Sequence, residues 1–304
     1  MSRRELDAAG IHDPSLRDSY EACRRLNSQH GKTYYLATLL LPPAKRPYVH
    51  ALYGFARYAD EIVDDLASTL SPEQKADQLN TWGDQFLADL DRGSSDDPIA
   101  AAVVDTVRRW GIPRAHFDAF LGSMAMDLTV TEYDTYSDLF EYVYGSAAVI
   151  GLQMVPILEP VDDAAYEYAM KLGTAFQLAN FVRDVGEDLD RGRVYLPLED
   201  LHRFDLTRDD LERRVVDDRV RQLLRYQIAR VRRLEQEARP GVALLDPTSR
   251  PCIEAARILY CGIVDEVERI DYEVFDHRAT VSVPRRVGVA LPAWGRAVWA
   301  RRVA

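Results

Sequence analysis

Two pairs of aspartates constrain the fold of this chain more than any other feature of its sequence. Asp60 and Asp64 form the first pair, and Asp184 and Asp188 form the second, 124 residues further on. A spacing of four residues places both carboxylates of a pair on one face of an α-helix. Each pair is flanked by apolar residues that repeat every three or four positions, which is typical of a helix with a buried side. The sequence therefore predicts carboxylates held inside a helical protein.

Both pairs have polar companions on the same helical face. Tyr53 and Arg57 precede the first pair at intervals of three or four residues, and Gln177 and Asn180 precede the second in the same way. Unpaired carboxylates in an apolar interior cost several kcal/mol, and the arginines of the two segments compensate only part of this charge. Mg²⁺ prefers oxygen ligands and completes its coordination with water and substrate phosphate. The two segments therefore predict a metal-bridged diphosphate between facing carboxylates.

A solvated surface or a calcium-binding loop accounts less well for the acidic pairs. Either pair taken alone fits a solvated helix end equally well, because acidic residues at this spacing are common. Two such pairs in apolar sequence, each with an amide or a tyrosine beside it, favour the metal site. Neither segment has the alternating ligands and central glycine of an EF-hand, and the chain contains no P-loop, G-x-G-x-x-G or H-E-x-x-H motif.

Helix start and stop signals along the chain predict an all-α fold. Ser71-Pro72 and Asp96-Asp97-Pro98 are typical helix starts, and apolar residues at helical spacing follow both. Thr207 begins a further predicted helix, whose arginine-rich part at 219–230 we interpret as a solvated face. Runs of β-branched residues are scarce outside 279–283.

Composition excludes several classes of protein. The chain has 304 residues, of which 47% are apolar and 29% charged, within the range of one large globular domain. A net charge of −11 would repel a nucleic-acid backbone, so we expect no nucleic-acid partner. We expect one domain over 1–304 with peripheral tails at 1–18 and 285–304. The sequence leaves the oligomeric state open.

Cysteine usage and hydropathy indicate the compartment. Cys23, Cys252 and Cys261 are odd in number and lack C-x-x-C spacing, which favours a reducing compartment. The charged first turn is followed by no signal-peptide core, and the longest apolar stretch, 147–158, is shorter than the roughly 20 residues that span a bilayer. We therefore expect a cytoplasmic protein that does not cross a membrane.

A larger set of ordered motifs resembles the squalene/phytoene synthase family, whose members condense prenyl diphosphates head to head. The resemblance runs from about Tyr20 to Val289. Its most specific parts are 34–42, 51–65, 126–128, 142–145, 177–197 and 265–272. The resemblance implies an isoprenoid synthase-type helical bundle around a central active-site cavity. It also implies Mg²⁺, or Mn²⁺ in its place, as the metal ion.

The resemblance assigns roles to individual residues. The implied metal ligands are Asp60, Asp64, Asn180, Asp184 and Asp188. Together with Tyr142, a candidate proton acceptor, the four aspartates are the implied catalytic residues. The implied substrate-binding residues, which hold the diphosphate or line the cavity, are His30, Lys32, Tyr53, Arg57, Gln177, Arg183, Arg193, Tyr260 and Arg278. The departing diphosphate is an alternative proton acceptor.

Within that family the resemblance is strongest to the phytoene-forming members. It implies condensation of two geranylgeranyl diphosphates through a cyclopropylcarbinyl diphosphate, with diphosphate released and without NADPH. A dehydrosqualene or hydroxysqualene synthase acting on farnesyl diphosphate fits the same motifs. A non-catalytic protein that binds prenyl diphosphates is an alternative of another class, which the intact acidic pairs disfavour.

The last residues combine basic and indole side chains. Trp294 and Trp299 alternate with arginines between Arg285 and Arg302, as in helices that lie at a membrane interface. Because the implied substrates and product partition into membranes, we formulate peripheral contact with the inner membrane face as a hypothesis. A frayed basic tail is the alternative.

Overall fold

The predicted all-α fold is confirmed. The computed structural model describes residues 3–64 and 70–303, apart from the side chain of Asp64. Within these ranges the extended structure amounts to one isolated antiparallel bridge, between Pro160 and Leu245. The remaining regular structure is helical. The elements in chain order are α1 (Arg3–Ala8), α2 (Pro14–His30), α3 (Lys32–Thr38), α4 (Arg46–Asp64), α5 (Pro72–Arg92), α6 (Ala100–Trp110), α7 (Ala115–Met126), α8 (Tyr136–Val143), a π-helical turn (Tyr144–Ala148), α9 (Val149–Leu158), α10 (Ala165–Arg183), α11 (Val185–Asp190), α12 (Leu198–Arg203), α13 (Arg208–Glu212), α14 (Asp218–Ala238), a 3₁₀ segment (Arg239–Leu244), α15 (Arg250–Cys261), α16 (Ile263–Arg269) and α17 (Val283–Val303).

Helix α10 lies at the centre of the bundle. It packs against α14, α9, α15 and α16, while α2 and α4 form a second pair that packs against α6. One apolar core fills the space among α2, α4 to α7 and α9. Another fills the space among α8, α10 to α14 and α16. The first core includes apolar residues of α4, and the second includes those at the end of α10 and the start of α11, so each acidic pair adjoins one core.

The predicted helix starts coincide with capping boxes. The Ser71 hydroxyl accepts a hydrogen bond from the backbone N–H of Gln74, and the Ser71 backbone N–H donates one to the Gln74 side chain. Thr207 and Asp210 form the same reciprocal pair. Such caps satisfy backbone donors that a helix leaves unpaired at its first turn.

The prediction of one solvated helix after Thr207 is wrong. Helix α13 ends at Glu212, and Arg214 has a positive φ of 54° before α14 begins. Helix α14 then packs along α10 and buries Leu223 and Ile228. Arg230, counted among its solvated arginines, is buried and pairs with Asp200 at 2.6 Å. A charge count along the chain does not reveal such a pair, because its partner comes from another helix.

The stretch 136–158 is long and apolar enough, by length and composition, to cross a membrane. In this fold it is a core element: half of its most apolar window is buried, and it packs against α7 and α10. Its π-helical turn includes Gly145, where an added Cβ would lie 2.2 Å from the carbonyl oxygen of Ala119. The glycine therefore allows the turn to touch the backbone of α7.

The carboxy-terminal residues form helix α17. Ala293, Ala297 and Ala300 lie on its buried side, where it packs against α15. At the other end of the chain, α1 contacts α4, and Glu5 pairs with Arg46 at 2.6 Å.

Candidate active site

A polar cavity of about 610 Å³ opens between α4, α10 and α11. Both segments that carry the acidic pairs contribute to its walls. Every predicted site residue whose side chain is described lines it: His30, Lys32, Tyr53, Arg57, Asp60, Tyr142, Gln177, Asn180, Arg183, Asp184, Asp188, Arg193, Tyr260 and Arg278. Asp64, the remaining predicted residue, ends α4, and its side chain lies outside the described part of the structure. Residues up to 248 positions apart in sequence thus meet around one space.

On the α4 wall, arginine holds the first acidic residue in place. Arg57 Nη1 donates to Asp60 Oδ2 at 2.6 Å, and Arg57 Nε donates to Glu61 Oε1 at 3.1 Å. These are i,i+3 and i,i+4 pairs on a half-exposed helix face, so each contributes only a few tenths of a kcal/mol. The pairs orient the carboxylates of Asp60 and Glu61 but do not hold them in a single position.

On the opposite wall, the helix that was predicted to run through the second pair is interrupted. Helix α10 ends at Arg183 and α11 begins at Val185, with Asp184 at a non-helical φ of −99° and ψ of 14°. Arg183 forms a two-point pair with the Asp184 carboxylate, and Arg278 Nε approaches the same group at 3.2 Å. Two guanidinium groups thus converge on one carboxylate beside the cavity.

Asp188 is the most deeply buried of the described metal-ligand candidates that carry a carboxylate. It is only 8% exposed, and burial together with the nearby charge of Asp184 raises its pKa to about 8. Arg191 approaches it at 3.9 Å, which is too long for a hydrogen bond. Beside it, the buried Oδ1 atom of Asn180 has no hydrogen-bond partner. A buried carboxylate with a raised pKa and a buried amide oxygen without a donor indicate that a cation belongs here.

The donor set fits a divalent metal that also binds substrate oxygen. Asp60, Asn180, Asp184 and Asp188 offer the carboxylate and amide oxygens that Mg²⁺ prefers. No three His, Cys, Asp or Glu side chains among the described residues are grouped closely enough to enclose a metal ion by themselves.

An apolar tunnel of about 290 Å³ continues from the polar cavity. The two spaces meet because they share lining residues: Tyr34, Tyr53, Ala56, Phe120, Ser146 and Gln177. One wall of the tunnel is a stripe of α10 from Gln177 to Ala165, and another is the stripe from Ser146 to Leu158. Each stripe covers 12 residues of helix, or about 18 Å at a rise of 1.5 Å per residue.

Small side chains and tight contacts shape the tunnel walls. Gly151 and Gly173 leave no room for a side chain, because an added Cβ would lie 2.4 Å and 2.6 Å from carbonyl oxygens of Ala169 and Ala147. At the far end, the 3₁₀ segment rests on Tyr168, where a Cβ on Gly241 would lie 2.1 Å from the tyrosine Cβ. At these positions the tunnel walls are therefore formed by backbone segments in direct contact with one another.

The further residues that line the cavity include two tyrosines and two charged residues that the sequence did not assign to it. They are Tyr34, Asp127, Arg191 and Tyr195. Tyr34 contacts Tyr260 with ring centroids 4.4 Å apart, and Tyr195 stacks on Phe181 at 4.3 Å. All four lie in or beside motifs that carried the resemblance, which was the signal available. Their roles depend on contacts between distant segments, which spacing along the chain does not reveal.

Comparison with known proteins agrees with this geometry. The sequence profile described as squalene/phytoene synthase matches residues 27–286. The chain belongs to the squalene/phytoene synthase family. This membership confirms the resemblance noted in the sequence.

Relatives and solved structures support the assignment over nearly the whole chain. A 15-cis-phytoene synthase from Synechocystis sp. is 39% identical over 93% of this chain and 86% of its own length. A phytoene synthase from Arthrospira platensis is 40% identical over 89% of this chain and 91% of its own. A dehydrosqualene synthase crystallised with a ligand superposes with a TM-score of 0.84 at 27% identity, covering 92% of this chain and 96% of that one.

A squalene synthase from Alicyclobacillus acidocaldarius superposes with a TM-score of 0.78 at 28% identity, covering 87% of this chain and 98% of that one. The predicted isoprenoid synthase-type bundle around a central cavity is therefore confirmed as the family fold.

Proposed function

We propose that this chain condenses two molecules of geranylgeranyl diphosphate head to head to form phytoene. The observation that carries the proposal is the junction of an acidic, arginine-lined cavity with an apolar tunnel. The first space suits a diphosphate and the second an isoprenoid tail. The family and the phytoene synthases among its relatives support the same reaction.

The length of the helical stripes that line the tunnel favours a twenty-carbon substrate. A geranylgeranyl main chain of about 16 carbons extends over about 18 Å, at the roughly 1.2 Å per bond of an extended chain, whereas a farnesyl chain extends over about 13 Å. The helical stripes that line the tunnel are about 18 Å long. A farnesyl tail would leave the far end, near Ala165 and Leu158, unfilled.

In this proposal Mg²⁺, or Mn²⁺ in its place, supplies positive charge that stabilises the departing diphosphate when bound. Asp60, Asn180, Asp184 and Asp188 would hold it, with Asp64 as a further ligand. Arg57, Arg183 and Arg278 would orient diphosphate oxygens from both walls, and Arg193, His30 and Lys32 from the rim.

The aromatic residues have a separate role in the proposal. After ionisation the allylic carbocation requires walls that do not attack it. Tyr53, Tyr260 and Phe181 contribute aromatic rings to the cavity wall, and the quadrupole of an aromatic ring attracts positive charge. Apolar walls also exclude the water that would trap the cation.

Incubation of the purified protein with each diphosphate tests this function. With geranylgeranyl diphosphate and Mg²⁺, and without NADPH, we expect phytoene as the hydrocarbon product, identified by mass spectrometry. A thirty-carbon hydrocarbon formed preferentially from farnesyl diphosphate would instead support a dehydrosqualene synthase. Binding of both diphosphates without turnover would support the non-catalytic alternative.

We also propose that α17 rests on the inner face of an anionic membrane, which would make this a peripheral protein of the cytoplasm. Val283, Val287, Leu291 and Trp294 are exposed and fall within an arc of about 80° beside the buried alanines of the helix. The helix carries five arginines and no acidic residue, although the whole chain has a charge of −11. An apolar stripe beside basic residues is typical of an interfacial helix.

Vesicle sedimentation tests the membrane contact. We expect the protein to sediment with vesicles containing phosphatidylglycerol and to be released by salt. A Leu291→Ser/Trp294→Ser variant is expected to lose this binding. Trp299→Ser is the matched control, because Trp299 is 68% exposed but lies off the stripe. Equal binding by both variants would contradict the assignment.

A further inference from the structure

A hydrogen-bonded cluster in the cavity wall connects three residues from different segments. Asp127 directly follows α7, Tyr142 lies on α8, and Tyr195 lies between α11 and α12. The Tyr142 hydroxyl donates to Asp127 Oδ2 at 2.7 Å, and the Tyr195 hydroxyl donates to Asp127 Oδ1 at 2.7 Å. All three residues line the cavity.

Neighbouring groups hold this cluster in place. Arg193 Nη2 donates to the Asp127 carbonyl oxygen at 2.9 Å, which ties the residue to the segment that carries Tyr195. The Tyr195 ring stacks on Phe181 with an interplanar angle of 7°, and Tyr142 packs on Tyr195 with centroids 5.4 Å apart. Both tyrosines are under a tenth exposed. Each donates to one oxygen of Asp127, which fixes the orientation of the carboxylate.

The direction of the hydrogen bonds determines what the tyrosines offer to the cavity. A tyrosine has one hydroxyl hydrogen, and in Tyr142 it points to Asp127. The hydroxyl oxygen is therefore left with acceptor capacity alone on its other side. Burial and the charge of Asp127 raise the pKa of Tyr142 well above its usual value, so the proton stays on the tyrosine at rest. The tyrosine can accept a second proton only by passing its own to Asp127.

We propose that Asp127 is the terminal acceptor for the proton lost from the carbocation, with the Tyr142 hydroxyl as the relay. In this step a C–H bond of the cation breaks, and its electron pair forms the new carbon–carbon bond. The hydrogen passes to Tyr142 Oη, and the hydroxyl hydrogen passes to Asp127 Oδ2, which becomes a neutral carboxylic acid. Asp127 returns the proton to water at the cavity mouth after the product leaves. The inference rests on the proposed condensation, which supplies the carbocation.

Tyr195 has a positioning role in this scheme. It occupies the second oxygen of Asp127 and leaves Oδ2 directed at Tyr142. Its ring stacks on Phe181, which holds the hydroxyl in this position. The departing diphosphate is the competing acceptor, and it would require neither Tyr142 nor Asp127.

Three single variants, one double variant and an isotope effect test the relay. Asp127→Asn keeps the size and one acceptor oxygen of the residue but cannot take up a proton. We expect Asp127→Asn and Tyr142→Phe each to lower kcat by about 10²–10⁴-fold, the usual contribution of a general base, with KM changed less than about threefold. Tyr195→Phe should lose less than about tenfold. The double variant Asp127→Asn/Tyr142→Phe should lose no more than the worse single variant, because the two groups act in series.

A substrate deuterated at the carbon that loses its hydrogen gives a readout that a structural role would not change. We expect a larger kinetic isotope effect in Asp127→Asn than in the unaltered enzyme, together with more hydroxylated product from water capture. Unchanged kcat and isotope effect in Asp127→Asn would overturn the proposal and favour the diphosphate. If Asp127→Asn does not fold, Tyr142→Phe decides, because wild-type turnover in that variant contradicts the relay. Failure of the unaltered protein to form any hydrocarbon would reject the proposed function itself, and this inference with it.

Discussion

At the scale of single residues, the acids of the site are held by the same arginines that a diphosphate would recruit. Arg183 and Arg278 both pair with Asp184, and Arg57 pairs with Asp60. A guanidinium group binds phosphate oxygens in the same fork geometry as a carboxylate. Substrate binding would therefore exchange arginine partners and leave the carboxylates for the metal.

Neutralising one acid on each wall should abolish turnover without unfolding the protein. We expect Asp60→Asn and Asp184→Asn each to lower kcat at least about a hundredfold, because each change removes a charged oxygen ligand from the developing charge. Turnover at saturating Mg²⁺ and the thermal midpoint would be measured together. Asp96→Asn is the control, because Asp96 is exposed in the loop before α6 and does not line the cavity. Wild-type turnover in both site variants would contradict the metal assignment.

At the scale of the elements, the break between α10 and α11 places the second acidic pair. Gly186 follows Asp184 by two residues, and its N–H donates to the Val274 carbonyl oxygen at 3.2 Å. A Cβ at this position would lie 2.1 Å from the carbonyl oxygen of Phe275. Helix α11 can therefore lie against the 274–275 backbone only because this residue lacks a side chain.

Gly186→Ala should lower both stability and activity. The added methyl group must push α11 away from Phe275, at a cost of about 1–3 kcal/mol, and this also displaces Asp188. We expect a thermal midpoint lowered by several degrees and a weaker response of turnover to Mg²⁺. Gly122→Ala is the matched control, because this exposed glycine of α7 has open space around its Cβ and alanine favours the helix. Equal midpoints for the two variants would show that the contact does not matter.

The packing of α2 against α4 predicts acid sensitivity. His50 is 1% exposed, its Nδ1 accepts from Asn27 Nδ2 at 2.9 Å, and burial lowers its pKa to about 3. The unfolded chain binds a proton near pH 6.5, so between about 6.5 and 3 it holds more protons than the folded state. Stability is therefore fully present above 6.5 and falls with decreasing pH, by up to about 1.4 kcal/mol per unit from this group.

Chemical denaturation at several pH values would measure this contribution. We expect His50→Gln, which keeps an acceptor for Asn27, to have a lower stability at neutral pH and a shallower loss between pH 6.5 and 4. An identical slope in both proteins would show that His50 does not carry the effect.

At the scale of the whole molecule, the polar cavity and the apolar tunnel follow one another along a single helix. Residues of helix α10 from Ala165 to Gln177 line the tunnel. From Gln177 onward the helix lines the polar cavity, as does Asp184 at its end. The α4 segment and the 144–158 segment complete both spaces. Substrate length and diphosphate chemistry are thus coupled through one rigid element.

A larger side chain near the far end of the tunnel should shift the substrate preference from geranylgeranyl to farnesyl diphosphate. Ala169 lies one helical turn from Ala165, about 6 Å or one five-carbon unit from the end. We expect Ala169→Phe to lower kcat/KM for geranylgeranyl diphosphate at least about tenfold while turnover of farnesyl diphosphate is retained or increased. Ala88→Phe on the exposed side of α5 is the control. An equal loss with both substrates would indicate damage to packing instead of a limit on tail length.

The sequence by itself determined the helical class, the capped helix starts and the candidate ligands. These features depend on residues within one or two turns of each other, such as Ser71 with Gln74 or Asp184 with Asp188, and the 3.6-residue period reports them directly.

The tertiary structure alone decided how those parts meet. It placed Asp127 between Tyr142 and Tyr195, paired Arg230 with Asp200, and set α14 against α10. It also interrupted the second acidic helix at Asp184 and brought the residues that line the tunnel together. Burial and hydrogen-bond partners arise from segments far apart in the chain, and no local pattern encodes which distant surface a side chain will face.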